Sequence, residues 1–393
     1  MKVLVSGASV AGPSVALWLG RAGHDVTVVE IAPALRKGGY AVDFRGEVFT
    51  TVLARMGVLE DLRALQTGGS AMQFVDASGR SLMRLPAEFS GGELEVLRAD
   101  LSRVLYEYSR AQATYRFGDS IAALREHAGG VDVVFESGVA DTYDLVIGAD
   151  GMHSVVRRLA WPADQVVERH LGYYAAGWEL SNTLGLTGDA LMYNVPGRLA
   201  SVGVDHRDPA LAGTLMLFKS PKLDYDRRDL EQQKAIVRDH FDGLGWHVPE
   251  LLEGLPAATE LYFDAISRVR VERWSTQRIV LLGDAGYGAT FGALGTGTAV
   301  VGSYVLAGEI EQALRAGDEL GTAFARYEAR LRKAVSTTQD GARAGSFLAP
   351  ASRFGLAARN RILSIPFFLN QLLKMAQTMS ELIELPEYRA VRV

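Results

Sequence analysis

The chain has 393 residues, enough for two domains or for one large domain with an insertion. Apolar residues make up 48% and charged residues 22%, a globular balance, and a net charge of −5 without long runs of Lys or Arg lacks the footprint of a nucleic-acid binder. Cysteine is absent, which excludes disulfides, thiolate metal sites, iron–sulfur clusters, thiol nucleophiles and the redox-active pair of flavin disulfide reductases.

Taken in chain order, Lys2 to Val5 reads as a short buried strand, Pro13 to Arg21 as a helix closed by Gly23, and Asp25 to Glu30 as a second strand. This is a βαβ unit. Between its first strand and helix lies Gly7-Ala8-Ser9-Val10-Ala11-Gly12, and Glu30 follows Gly12 by eighteen residues. Gly7 permits a tight turn, Gly12 lets helix and strand approach, and the free N–H groups of the helix N-terminus suit a pyrophosphate. Ser9 replaces the usual middle glycine; it keeps the backbone reachable and adds a hydroxyl donor. Glu30 is placed to accept hydrogen bonds from an adenosine ribose. The combination predicts dinucleotide binding without separating FAD from NAD. The same glycine spacing argues against reading Lys2 and the apolar run Val3 to Leu19 as a signal peptide.

The middle of the chain is β-rich, with strands expected at Tyr173 to Trp178, Ala190 to Val195, Ala200 to Val204 and Thr214 to Phe218. A helical pattern follows from Arg227 to Phe241. Arg278 to Leu282 then has the apolar run of a central parallel strand and leads into Gly283-Asp284. A carboxylate at Asp284 can bind a ribityl hydroxyl. Gly295 and Gly297 precede the apolar helix Thr298 to Leu306, so their N–H groups can face a flavin pyrimidine edge. Ala285 to Gly308 carries no charge but is studded with glycine, which favours a buried loop and helix over a membrane span. The helical period runs to about Ala344, and Arg353 to Glu387 is amphipathic with Pro366 as a breaker. That tail is expected to pack across the two domains in preference to binding a membrane surface or a partner helix.

Four stretches together resemble the family of FAD-dependent aromatic hydroxylases, which includes p-hydroxybenzoate hydroxylase and the tetracycline-inactivating monooxygenases: GASVAG with Glu30; Arg98 in LRADL; Asp144 to Arg157; and Gly283-Asp284-Ala285 with the glycines after it. The resemblance covers about residues 1 to 340. It implies that Asp150, in Asp150-Gly151, belongs to a motif associated with FAD and nicotinamide binding and also orders its turn. It further implies that Arg98 contacts the flavin side of FAD and that Arg36 lies near the adenosine ribose. The segment Gly39 to Gly46 resembles one that runs past the flavin, where Arg45 is either a cofactor contact or a surface ion pair. One departure is the absence of proline in Ala289-Thr290-Phe291-Gly292, with Phe291 either replacing that wall or simply packing.

The implied fold is α/β: a Rossmann-like FAD-binding domain with a parallel sheet, formed by residues 1–170 and 266–340, a mainly β substrate-binding domain at 171–265, and C-terminal helices at 341–393. The implied reaction is hydroxylation of a small aromatic or polyketide-like substrate with NAD(P)H and dioxygen through a flavin C4a-hydroperoxide. A reductase or dehydrogenase of the same superfamily, or a flavin binder without turnover, are the alternatives; a halogenase is disfavoured because no WxWxIP-like stretch is present. The substrate is expected between the flavin and the inner face of the middle sheet, where Trp178, Met192, Tyr193, Met216 and Phe218 read first as core. No metal site and no catalytic base are assigned. The expected protein is cytoplasmic, monomeric or homodimeric, with no nucleic-acid or membrane partner.

Overall fold

The computed structural model describes residues 1–36, 40–205, 207–290, 295–340, 344–378 and 382–388. A five-stranded sheet is ordered Ile279–Leu281, Leu145–Gly148, Lys2–Ser6, Asp25–Glu30 and Ala113–Phe117, all parallel. Nine of the fifteen residues of its three central strands are Val, Leu or Ile, all of them buried, because both faces are covered. The register pairs Ser6 with Gly148 and Gly148 with Leu281. The loops after these strands therefore leave from one carboxyl edge, the side on which open α/β sheets bind ligands.

The second sheet is ordered Tyr262–Val271, Val166–Gly177, Leu211–Lys219, Arg198–Val204, Ala190–Val195, Met72–Val75 and Ser81–Leu85, with Glu179–Ser181 paired to Leu211–Lys219. It is antiparallel except where Ala190–Val195 runs parallel to Met72–Val75. Side-chain alternation gives it two apolar faces. One packs Trp178, Tyr193, Met216 and Phe218 against Val237, Phe241, Val248 and Leu251 of the helices Leu230–Phe241 and Val248–Gly254. The other gathers Phe74, Met192, Leu217 and Ile266 with Ala349 and Leu363. The expected α/β architecture with a mainly β region and C-terminal helices is borne out. Of the five side chains considered for the inner face, only Met192 lies on the face that carries Ile266.

Several boundaries differ from the sequence reading for local reasons. The helix expected from Arg227 begins at Leu230, because the Asp229 carboxylate caps it by accepting the Gln232 N–H at 2.9 Å. The long helical period is two helices, Gly295–Ala316 and Leu320–Asp340, separated at Gly317, whose φ of 72° ends the first. The tail forms helices at Ala344–Leu348, Arg353–Leu363 and Pro366–Thr378, but residues 383–388 are not helical. Instead Tyr388 packs on Tyr304 at 5.2 Å and donates to Glu309 at 2.7 Å, in space that a Cβ on Gly308 would fill.

Candidate functional site

Three separated stretches meet at the carboxyl edge of the parallel sheet. Gly7 has φ of 105°, and a Cβ there would lie 2.5 Å from the Ala149 carbonyl oxygen and 2.9 Å from the Asp150 Cα. A Cβ on Gly12 would lie 1.8 Å from the Gly7 carbonyl oxygen, so only glycine lets the helix Ala11–Arg21 start this close to its strand. A Cβ on Gly283 would be 3.4 Å from Ala11 Cβ and 3.2 Å from Ala299 Cβ. The first glycine loop, the loop after Gly283 and the start of the helix Gly295–Ala316 are thus immediate neighbours.

Two helix N-termini open here. Val10, at the N-cap of Ala11–Arg21, provides no side-chain cap, and neither this helix nor Gly295–Ala316 has an acidic residue in its first turn. The free N–H groups of the first helix and the positive ends of the two dipoles suit anionic or electron-rich groups. Gly295 and Gly297 both lie in the first turn of the second helix. Gly297 is required sterically, since a Cβ would lie 2.8 Å from the Phe49 ring.

The carboxylates at this edge do different work. Glu30 accepts from the Ala8 N–H at 2.8 Å and the Ala32 N–H at 3.0 Å, tying the glycine loop to the end of the second strand. Asp150 accepts from the N–H groups of Val155 at 2.8 Å and Val156 at 3.1 Å, and from Ser6 Oγ at 3.3 Å and Ser154 Oγ. It therefore orders the turn ahead of the helix Val155–Ala160, and burial raises its pKa against those hydrogen bonds. Asp284 accepts no hydrogen bond from the described residues. Burial pushes its carboxyl up, while the nearby Arg98 guanidinium opposes the shift. The Arg98 side chain is exposed and makes no ion pair among the described residues, so the two opposite charges influence each other without a direct contact.

The other expected positions divide. Ser9 Oγ lies 3.5 Å from Ser102 Oγ, and Val10 and Ala11 are buried under the loop. Arg36 is exposed and makes no polar contact among the described residues. Arg45 pairs with Asp43 and donates to the carbonyls of Glu88 at 3.1 Å and Phe89 at 2.6 Å. Gly39, Phe291 and Gly292 lie outside the described residues.

Contacts that sequence reasoning missed complete the edge. Buried Arg157 donates to the Ala285 carbonyl at 2.7 Å, to Met152 O at 2.6 Å and to Glu168 at 2.5 Å, clamping the Asp150 segment to the Asp284 segment. Its place at the end of DLVIGADGMHSVVR was the available signal. From the second sheet, alternation on Tyr262–Val271 brings Tyr262, Asp264 and Ile266 to one face. Tyr262 meets the Tyr40 ring edge-on at 5.2 Å, and Asp264 pairs with His153 at 3.1 Å. Burial raises the Tyr262 phenol, assisted by Asp264 and resisted by Arg98, so it stays protonated and available as a donor at neutral pH. Tyr40 Oη donates to the Ala176 carbonyl at 3.0 Å across the junction of the two sheets.

A glycine cradle that a Cβ would fill, a helix start at Ala11 without a side-chain cap, and Asp284 under the influence of Arg98 fit a dinucleotide carrying a flavin. Residues 1–179 match the FAD binding domain family. A flavin-dependent monooxygenase of Legionella longbeachae is 35% identical over 397 residues, covering 99% of each chain. The crystal structure of the tetracycline destructase Tet(51) superposes with a TM-score of 0.85 at 31% identity, covering 99% of both chains. That of Klebsiella pneumoniae HpxO, complexed with FAD and uric acid, reaches 0.75 at 22% identity over 97% of each chain and shares the fold. Matched along its whole length to such relatives, with a cradle built for their cofactor, this chain belongs to the family of FAD-dependent monooxygenases.

Proposed function

We propose that this monooxygenase uses NAD(P)H and dioxygen to hydroxylate a fused-ring, polyketide-like or other aromatic substrate lying between the Asp284 edge and the inner face of the second sheet. The observation that supports the placement is the Asp284 carboxylate under the electrostatic influence of Arg98 where the glycine loops converge, with Arg98 also acting on Tyr262 of the sheet. The full-length likeness to a tetracycline destructase supports the fused-ring class. Bound FAD would supply the two-electron reduction and the activation of dioxygen.

The protein's own part is to bind, orient and keep water out. In this reading Gly7, Ser9, Val10, Ala11 and Gly12 present backbone N–H groups to the pyrophosphate. Glu30 retains lone pairs for a ribose hydroxyl beyond its two backbone donors, and Arg36 stands on the adenosine side. Asp284 accepts a ribityl hydroxyl, Gly295 and Gly297 offer N–H groups to the electron-rich edge of the ring system, and Arg98 lies on the flavin side. Asp150 holds the turn that backs the glycine loop; Arg45 holds its own loop. Phe74, Met192, Leu217 and Ile266 make the sheet wall dry, and the protonated Tyr262 donates toward a substrate oxygen. We place the enzyme in the cytoplasm. We assign it as a monomer or homodimer.

The test is NAD(P)H oxidation by the flavin-loaded enzyme across a panel of simple phenols and tetracyclines, followed by mass spectrometry of the products. The reading expects faster oxidation with the fused-ring compounds and products heavier by an oxygen atom. Stimulation confined to simple phenols would contradict the substrate class.

A further inference from the structure

The helices Arg353–Leu363 and Pro366–Thr378 are apolar on two sides. Their inward side chains Leu363, Leu369 and Leu372 pack on the inner face of the second sheet with Phe74, Met192 and Ile266. Their outward side chains have no such cover. Phe354 is 84% exposed, Phe367 64%, Ile362 48%, Phe368 47% and Ile365 43%. These five lie within fifteen consecutive residues, whereas the other exposed large apolar side chains of the described residues are scattered from Ile31 to Leu314. Single exposed apolar residues are ordinary; a concentration of this kind marks a contact surface.

Charge identifies the contact. Helices Arg353–Leu363 and Pro366–Thr378 contain Arg353, Arg359, Arg361 and Lys374 and no Asp or Glu, in a chain of net −5; Arg359 is buried and donates inward to the carbonyls of Phe347 at 3.1 Å and Leu348 at 2.8 Å, which leaves Arg353, Arg361 and Lys374 exposed. Arg353 and Arg361 are exposed and form no ion pair among the described residues. Arg361 follows Phe354 by two helical turns and so shares its side of the helix. An acidic protein has thus confined an acid-free, basic and phenylalanine-bearing surface to its last helices. That is the chemistry of a helix lying in the interface of an anionic bilayer, with aromatic and aliphatic side chains in the acyl boundary and Arg at the phosphates. No helix among the described residues is long and apolar enough to cross a membrane, so the mode is docking and not spanning.

We propose that the outward face of helices Arg353–Leu363 and Pro366–Thr378 docks the enzyme on anionic phospholipid membranes. The sequence-based expectation is a tail packed across the two domains with no membrane partner; the inward face of these helices packs on the second sheet, and docking gives the opposite face a second role. Because the inward face of the same helices covers the sheet wall, docking presents that side of the molecule to substrates dissolved in lipid.

The experiment is co-sedimentation of the flavin-loaded, full-length protein with vesicles of pure phosphatidylcholine and of equimolar phosphatidylcholine and phosphatidylglycerol, at low and high salt. Binding is expected only to the anionic vesicles and should fall as salt rises. Arg361→Glu should weaken the partition by at least about fivefold, and Phe367→Ser with Phe368→Ser by at least about tenfold. Flavin content and melting temperature verify that each variant is folded, and Phe354→Ser on the neighbouring helix provides an independent arm. Absence of binding to anionic vesicles, equal binding to both vesicle types, or full binding by the folded Phe variants overturns the proposal. So does a Phe367- and Phe368-dependent dimer, seen by light scattering, that does not bind vesicles.

Discussion

Asp284 and Arg98 illustrate how a residue's role follows from what its own chain leaves undone. Asp284 sits behind the apolar strand Ile279–Leu281, is desolvated, and receives no donor from the described residues, while Arg98 keeps its guanidinium free. A carboxylate in that state is costly until a ligand donates to it. Asp284→Ala should therefore weaken FAD binding by about 1.5–3 kcal/mol, the range for a hydrogen bond to a charged group, as read by flavin titration. In the flavin-free protein the sign reverses. The raised carboxyl pKa means that folding loses stability as pH climbs from the usual carboxylate range toward the folded-state value, since the unfolded chain gives up its proton first. Flavin-free Asp284→Asn should melt higher than the parent at pH 7 and equal it at acid pH where both are neutral; a lower melting temperature at pH 7 would show Asp284 to be a structural cap. The sequence made Asp284 and Glu30 visible as candidates but could not show that Glu30 has donors from within the chain and that Asp284 has none among the described residues. Glu30 is shared with the Ala8 and Ala32 N–H groups, and Arg45 is occupied by Asp43 and two carbonyls, because both depend on backbone atoms brought near by folding.

At the level of elements, strands and helices with strong periodicity were legible. Ala190–Val195 was found to the residue, and the opening βαβ unit within a few residues, because alternation and the glycine signature are local properties. The ribbon of Ala41–Phe44 with Leu94–Leu97 was not, being short and formed between segments far apart in sequence. It carries Tyr40, next to its first strand, into the second sheet, and the fit is tight: a Cβ on Gly177 would lie 1.8 Å from Tyr40 Oη. Gly177→Ala should therefore expel the phenol and break its hydrogen bond to Ala176, lowering stability by about 1–3 kcal/mol in urea unfolding, the usual cost of overpacking. If Tyr40 locks the two sheets, Tyr40→Ala in the Gly177→Ala background should add much less than it does alone. Additive effects would separate the two residues.

Over the whole molecule, the site is made by convergence. Ser6, Gly148 and Leu281 end level in one parallel sheet, so loops from the beginning, middle and later part of the chain emerge together, and Arg157 ties two of them. The sequence indicated which loops belonged together only through the chemistry of one shared ligand. It did not reveal that Met72–Val75 and Ser81–Leu85 would extend the second sheet, nor that Met192 alone among five aromatic and sulfur side chains would reach the inner face, because face assignment depends on strand register. The proposed placement of substrate between the inner face of that sheet and the Asp284 edge suits the insertion of oxygen into a bound substrate while water is kept away. Turnover under isotopically labelled dioxygen, with NAD(P)H and a substrate that accelerates its oxidation, examines that claim at the atom transferred. The account predicts one labelled oxygen atom in the product for each NAD(P)H consumed in coupled turnover; an altered product free of label, as from a dehydrogenase or reductase, would contradict it.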